Sequence, residues 1–428
     1  MVATLVVGLG FGDEGKGTTV DYLVRRDGAS GVVRYGGGPQ ATHHVVLPDG
    51  RWHGFSQFGA GTFVPGVATH LTRDVLVEPV SLLREDEVLR GKGVHDAMAR
   101  LTIDPGAALV LPYHKMTGQL AELARGGDRH GTVGLGVGEA ARERDAGRAI
   151  TLANARDGAA LRRTLAERIA ERLAHAEQFA GSAEADERLA YFRRELDVER
   201  IARIVGGFVR GYASALVPDD ERLPALRALG PVILEGAQGI LLDPTCGFPP
   251  FITKTPATPP SALAVDHRLG VMRAYAHRHG PGPLPTEDAA LVLPEAHNTW
   301  NRWQGAFRVG PLDLVLARYA VRAARVDSIA LTCLDRVPGE VRAVTAYDYT
   351  GPVEPWFDGA FAYTVERDRV RITEIRDGAG IATVLAACRP AAEIKTNAIA
   401  DLVASELGVP VTIASAGPTW RDKVSCRR

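Results

Sequence analysis

The chain has 428 residues, with 50 Lys and Arg against 51 Asp and Glu, and its apolar share of 46% is enough to bury a sizeable core. It carries no basic field of the kind nucleic-acid binders use, no run of about eighteen apolar residues that would span a membrane, and no charged-then-apolar start of a signal peptide. Four scattered cysteines (Cys246, Cys333, Cys388, Cys426) match no CxxC metal pattern and read as reduced thiols, so a soluble cytoplasmic protein is expected.

Residues 2–9 (VATLVVGL) are predicted to form a buried parallel strand opening into a glycine loop, with a helix over 18–26. VVRYGGG at 32–38 predicts a second strand ending in glycines. Helical patterns follow at 75–91 and 115–125, and the Ala, Leu, Arg and Glu of 150–228 include helically spaced apolar residues over 160–179. PVILEGAQG at 231–239 repeats the strand-then-glycine pattern, and a Pro-rich loop occupies 244–260. Helices and strands alternate through 261–336, 341–375 reads as antiparallel β, and a helix at 390–406 precedes a strand at 409–415. Alternation of this kind predicts an α/β fold on a mostly parallel central sheet. One large domain over 1–428 is expected, with a helical excursion at about 150–228 and a β-rich one at about 341–375.

The richest stretch is VVGLGFGDEGKGTTVDYL, residues 6–23. From Gly10 to Lys16 it has the spacing of a phosphate-binding loop, although Gly17 stands where Ser or Thr is usual and the hydroxyls come at Thr18 and Thr19. Glycines let backbone amides converge on a phosphate, a helix N-terminus adds positive potential, and Lys16 adds charge. The competing reading of such spacing is a tight strand-to-helix turn. Two acids in the loop, Asp13 and Glu14, are unusual because anions repel phosphate. A carboxylate belongs there if a metal or a proton transfer needs it.

GDEGKG after an apolar strand resembles the N-terminal signature of the adenylosuccinate synthetase family. The resemblance implies that Asp13 is a general base and Mg²⁺ ligand, and that Gly12, Gly15, Lys16, Gly17 and Thr18 hold GTP. Glu14 is left to a salt bridge or a loop hydrogen bond. VVRYGGGPQATHHVV (32–46) resembles the next family element. It implies His43 as the catalytic histidine on the transferred phosphoryl group, Gln40 as a nucleotide contact, and the Thr42 carbonyl as a metal ligand. EGAQGILLDPTCGFPPFIT (235–253) implies Gln238 at the edge of a 6-oxopurine and Thr253 at its 5′-phosphate.

HGTVGLGVGEAARERDAGR (130–148) resembles a further phosphate loop: Thr132 is kept, Val133 replaces a threonine and Leu135 an arginine. The family's arginine that reaches a neighbouring subunit's nucleotide falls near Arg148, so a homodimer is implied. ALTCLDRV (330–337) and ASAGPTWRDKV (414–424) resemble the guanine-reading elements, implying Asp335, Ser415 and Gly417 as GTP contacts. HNTWNRWQGAFRVGPLDL (297–314) departs most. Only Arg302 and Arg308 remain where the family clamps aspartate's carboxylates with several arginines.

The implied activity is a GTP-dependent ligation: the 6-oxygen of IMP or a related purine nucleotide is phosphorylated, then replaced by the amine of aspartate to give adenylosuccinate. The alternatives are the same chemistry on a modified nucleotide or with another amine donor, and a catalytically silent GTP-binding protein.

Overall fold

The computed structural model describes residues 2–426 except 262, 296, 356, 367–368 and 377–379. Its central sheet has nine strands: β1 (Ala3–Gly8), β2 (Gly31–Arg34), β3 (Ala68–Leu71), β4 (Leu101–Ile103), β5 (Val232–Gly239), β6 (His267–Arg273), β7 (Ser328–Thr332), β8 (Val411–Ser415) and β9 (Lys423–Ser425). They lie in the order β9-β8-β7-β6-β1-β5-β2-β3-β4, and every neighbouring pair is parallel except β8–β9. In β1, Leu5, Val6 and Val7 are all 0% exposed, with Val6 in one core and Leu5 and Val7 in the other. A strand buried on both faces needs a continuous apolar run, which is how its sequence reads.

One core joins the sheet to α1 (Lys16–Asp27), α2 (Pro79–Gly91) and α3 (Pro112–Ala124). It continues into the helical excursion through α5 (Gly158–Ala176), α6 (Ala183–Glu195) and α7 (Val198–Gly211). The short α4 (Val137–Asp145) lies ahead of that excursion, and α8 (Asp219–Leu229) leads back to β5. The other core packs α9 (Leu314–Ala324) and the helix Ile399–Leu407 against the sheet, together with a small second sheet. That second sheet holds the strands Leu312–Asp313, Val341–Tyr349, Phe361–Glu366, Arg369–Ile375 and Arg389–Thr396. The α/β architecture on a mostly parallel sheet is as expected from the sequence.

One predicted element is corrected. Residues 390–406 are not a single helix: Arg389–Thr396 is a strand and only Ile399–Leu407 is helical. Pro390, the alanines and Glu393 look permissive for a first helical turn. The segment instead pairs antiparallel with Val341–Tyr349, from Val341 opposite Thr396 to Asp348 opposite Arg389. A ladder of that length outweighs helix propensities of about 0.7 kcal/mol or less per residue.

The parallel strands deliver the glycine loops to one edge of the sheet. β1, β2, β5, β6, β7 and β8 all end there, and β1 is flanked by β5 and β6, so the chain winds away from it in both directions. Open parallel sheets bind ligands at such a switch point, beyond the carboxyl ends of the strands.

Candidate active site

The loop between β1 and α1 is built around Glu14. Its carboxylate is fully buried and accepts the N–H groups of Gly10 and Gly12 at 3.0 and 2.8 Å through one oxygen. The other oxygen accepts from Lys16 Nζ at 2.7 Å. Burial raises this carboxyl, but Lys16 and His277 more than offset that and hold it at about 2. The packing leaves no room beside it, since a Cβ on Gly8 would stand 2.2 Å from Glu14 Oε2. Of the two readings left open for Glu14, both hold: it is a salt-bridge partner and the hydrogen-bond hub of the loop.

His277, which follows β6, pins the loop from outside by donating from Nε2 to the Gly12 carbonyl at 2.6 Å. A carbonyl only accepts, so the proton sits on Nε2. Burial, with Arg273 nearby, pushes His277 down to about 4, so it stays neutral at physiological pH. Arg273 Nε donates to the Asp13 carbonyl at 2.6 Å. Held from both sides, Asp13 takes a left-handed φ of 60° and turns its carboxylate toward the cleft, 3.9 Å from His279 Nδ1.

Gly17, in the first turn of α1, lies against the strand His43–Val46: a Cβ there would stand 2.8 Å from the His43 carbonyl carbon and the His44 oxygen. This contact brings His43 to the loop. His43 Nδ1 lies 2.5 Å from Glu235 Oε1 in β5, and Nε2 lies 3.2 Å from the Ala237 carbonyl. Glu235 Oε2 also accepts the Ala60 N–H at 3.0 Å. Burial lowers the His43 pKa against the opposing pull of Glu235. Burial alone would raise the Glu235 carboxyl, but His43 and Arg34 bring it below its usual value, so it stays ionised. An ionised carboxylate fixes a proton on Nδ1 and favours a second on Nε2 whenever negative charge arrives there.

These groups line one cleft of about 920 Å³. The cleft also receives Gly12, Gly15, Lys16, Gly17, Thr18, Gln40, Thr42, Thr132, Gln238, Thr253, Asp335, Ser415 and Gly417, so most of the residues singled out in the sequence converge. Gln40 Oε1 is buried without a hydrogen-bond partner and needs one from a ligand. Gln238 Oε1 lies 3.4 Å from where a Cβ on Gly12 would be. Thr18 is tied to the C-terminal loop, donating to the Pro418 carbonyl at 2.8 Å and accepting from Lys423 at 2.6 Å. Asp335 is exposed in the cleft with no hydrogen bond to a described residue, after Cys333 at a left-handed φ of 58°.

Three arginines lie outside the cleft. Arg148 is exposed and paired with Glu171 at the surface. Arg302 pairs with Glu184 of α6, and Arg308 is spent on Glu287 and the carbonyls of Gly280 and Gly282. The loop before β-strand Phe307–Gly310 is closed on itself by Asn301, whose side chain accepts the N–H groups of Trp303 and Gln304 at 3.0 and 2.7 Å. The Trp303 ring lies 3.1 Å from where a Cβ on Gly134 would stand.

Sequence reasoning missed Glu235, His277, Arg273 and His279. Glu235 had a signal, a lone charge in the apolar run VILEG; the others sit in RAYAHRH, a dense run of basic residues directly after a buried strand. For a metal, Asp13 and Thr42 both border the cleft, and no group of three or more His, Cys, Asp or Glu converges among the described residues. One carboxylate and one carbonyl fit Mg²⁺, which takes oxygen ligands and keeps water and substrate phosphates for the rest. No helix among the described residues is long and apolar enough to cross a membrane.

The adenylosuccinate synthetase family model matches residues 5–424. The adenylosuccinate synthetase of Chlorobium chlorochromatii is 30% identical over 456 residues, covering 100% of this chain and 98% of that protein. That of Saccharopolyspora erythraea is 33% identical over 368 residues, covering 82% of each. Among solved structures, the fully ligated adenylosuccinate synthetase of Plasmodium falciparum superposes with a TM-score of 0.76 at 17% identity, covering 99% of both chains. The succinoaminodeoxyadenylate synthetase of cyanophage S-2L, bound to dGMP and dATP, superposes with a TM-score of 0.60 at 16% identity, covering 100% of this chain and 96% of that one. The family match and the full-length relatives place the chain: it belongs to the adenylosuccinate synthetase family of C–N bond-forming ligases.

Proposed function

We propose that this protein is a GTP-dependent ligase that phosphorylates the 6-oxygen of IMP and lets the amine of aspartate displace the phosphate, giving adenylosuccinate, GDP and phosphate. The observation that carries this reading is the convergence, in one cleft, of a carboxylate beside a phosphate loop (Asp13), a carboxylate-backed histidine (His43) and an amide (Gln238). Asp13 takes the proton from N1 of the purine while Gln238 holds its 6-oxo edge. The resulting 6-oxyanion attacks the γ-phosphorus of GTP and GDP leaves. His43, protonated on both nitrogens against Glu235, donates from Nε2 to the transferring group, where developing charge is best stabilised. The amine then adds at C6 and phosphate departs.

Lys16, with ammonium hydrogens beyond the one given to Glu14, and the amides of Gly15 and Gly17 hold the GTP phosphates, with Gly12 and Thr18 shaping the loop around them, and Ser415 and Gly417 border the guanine. Asp335 accepts from guanine N1–H and its 2-amino group, a pair adenine does not present. Gln40, Thr132 and Thr253 serve the substrate nucleotide. Mg²⁺ held by Asp13 and the Thr42 carbonyl would neutralise charge on the triphosphate. The enzyme works as a cytoplasmic homodimer in this reading, with the exposed Arg148 of each chain offered to its partner; sedimentation of an active monomer would overturn that part.

A second reading keeps the chemistry and changes the amine donor. One observation favours it: Arg302 and Arg308, the two arginines available to clamp a dicarboxylate, are committed outside the cleft to Glu184, Glu287 and backbone carbonyls. Phosphate release from GTP, measured with IMP and scanned across aspartate and other amines, separates the two. Release that requires aspartate and yields adenylosuccinate supports the first reading. Release only with another donor supports the second, and no release with any donor would sink both.

A further inference from the structure

Seven Lys and Arg side chains line the cleft, and six already have a partner within the chain. Lys16, Arg125, Arg142, Arg273 and Arg336 each pair with a carboxylate, and Arg278 donates to the Pro283 carbonyl at 2.8 Å. Lys254 is the exception: among the described residues it has no hydrogen bond or ion pair. Its neighbours are prepared for an anion. Thr253 borders the cleft: its N–H is tied to the Leu242 carbonyl at 2.7 Å, which fixes the segment, and its Oγ1 accepts the Thr255 N–H at 3.4 Å and lies 3.3 Å from Thr255 Oγ1. Thr132 Oγ1 accepts the Gly134 N–H at 3.0 Å, so its own hydrogen is available. The Lys254 stem passes 3.5 Å from where a Cβ on Gly138 would stand, in the first turn of α4, whose N-cap Gly136 supplies no capping side chain.

An ammonium group is a strongly hydrated point charge that gains most from a compact anion such as a phosphate. The phosphate loop already has its own lysine, Lys16. We infer that Lys254 is the charged anchor for the 5′-phosphate of the substrate nucleotide, acting with Thr253 and Thr132 and compensating for the hydroxyl absent at Val133. This rests on the proposed reading, in which the second substrate is a nucleoside monophosphate.

The test compares IMP with inosine, which lacks only the phosphate, in wild type, Lys254→Ala and Lys254→Arg. Equilibrium binding is measured by calorimetry alongside IMP-dependent phosphate release from GTP. A lost charge-assisted contact corresponds to a weakening of about tenfold or more. Lys254→Ala is therefore expected to raise KM and Kd for IMP by about that factor, leave inosine and GTP unchanged, and be rescued by Lys254→Arg. Equal effects on IMP and inosine, or none on either, would overturn the assignment even if wild type turns IMP over. If wild type does not turn IMP over but Lys254→Ala loses affinity for another nucleoside 5′-monophosphate, the anchor stands and the proposed reaction falls. If no nucleoside monophosphate binds better than its nucleoside, the anchor is refuted.

Discussion

Glu14→Gln is expected to destabilise the fold by several kcal/mol while keeping the side chain's volume. Glu14 is 0% exposed, and its two oxygens hold two backbone N–H groups and the buried Lys16 ammonium. Gln keeps the volume and one acceptor but sets an amide against a buried cation. The carboxyl sits at about 2 against an ordinary 4.5. At about 1.4 kcal/mol per pH unit, that is roughly 3–4 kcal/mol at neutral pH. Breaking a buried pair by removing one partner costs about 3–5 kcal/mol, which agrees. With about 2.1 cal/mol/K per residue, the unfolding entropy of 428 residues is roughly 0.9 kcal/mol/K, so Tm falls by about 4 °C. Because the folded pKa is depressed, the contribution is present above pH 4.5 and is lost as pH falls through about 2. Wild type and variant should therefore converge in acid. Scanning calorimetry at pH 7 and in a descending pH series, with a GTP titration, provides the readout. The double variant Glu14→Gln/Lys16→Met removes both charges and should recover much of the loss. A Tm within about 1 °C of wild type at pH 7, or a double variant as damaged as the sum of the singles, would refute the reasoning.

Asp13→Asn should abolish turnover while sparing the fold and metal-free GTP affinity, since Asn tolerates the left-handed φ of 60° at this position; retained turnover would remove Asp13 as the base. His43→Ala should lower kcat by about 100-fold or more, and Glu235→Gln should lower it with little change in either KM, because Glu235 acts through the ring it holds at 2.5 Å. Normal rates in either variant, measured by phosphate release, would break that pairing. Asp335→Asn should erode the preference for GTP over ATP, compared as kcat/KM for the two nucleotides; an unchanged ratio would undo the guanine assignment.

Much of this was legible because it is local. A glycine loop must follow the strand that feeds it, so GDEGKG placed Asp13 and Lys16 at the head of α1 without any knowledge of distant contacts. The continuous apolar run of β1 likewise identified a strand buried on both faces. The predicted helix at 390–406 failed for the opposite reason. Its first half is decided by a partner strand some fifty residues away, and propensity carries no information about that pairing.

Short-range patterns were enough for the α/β class, the loops that face the cleft and the residue types that could do the chemistry, because strand burial and phosphate cradles are written locally. Tertiary structure alone decided which charges are free to act. Nothing in the spacing of 297–308 tells whether Arg302 and Arg308 face a substrate or are spent on Glu184, Glu287 and backbone carbonyls. Nor does any motif show that Glu235 backs His43 across 192 positions, or that His277 holds Gly12 across 265. A charged group's role depends on its partners, and those partners are set by how distant strands bring their ends to one edge of the sheet.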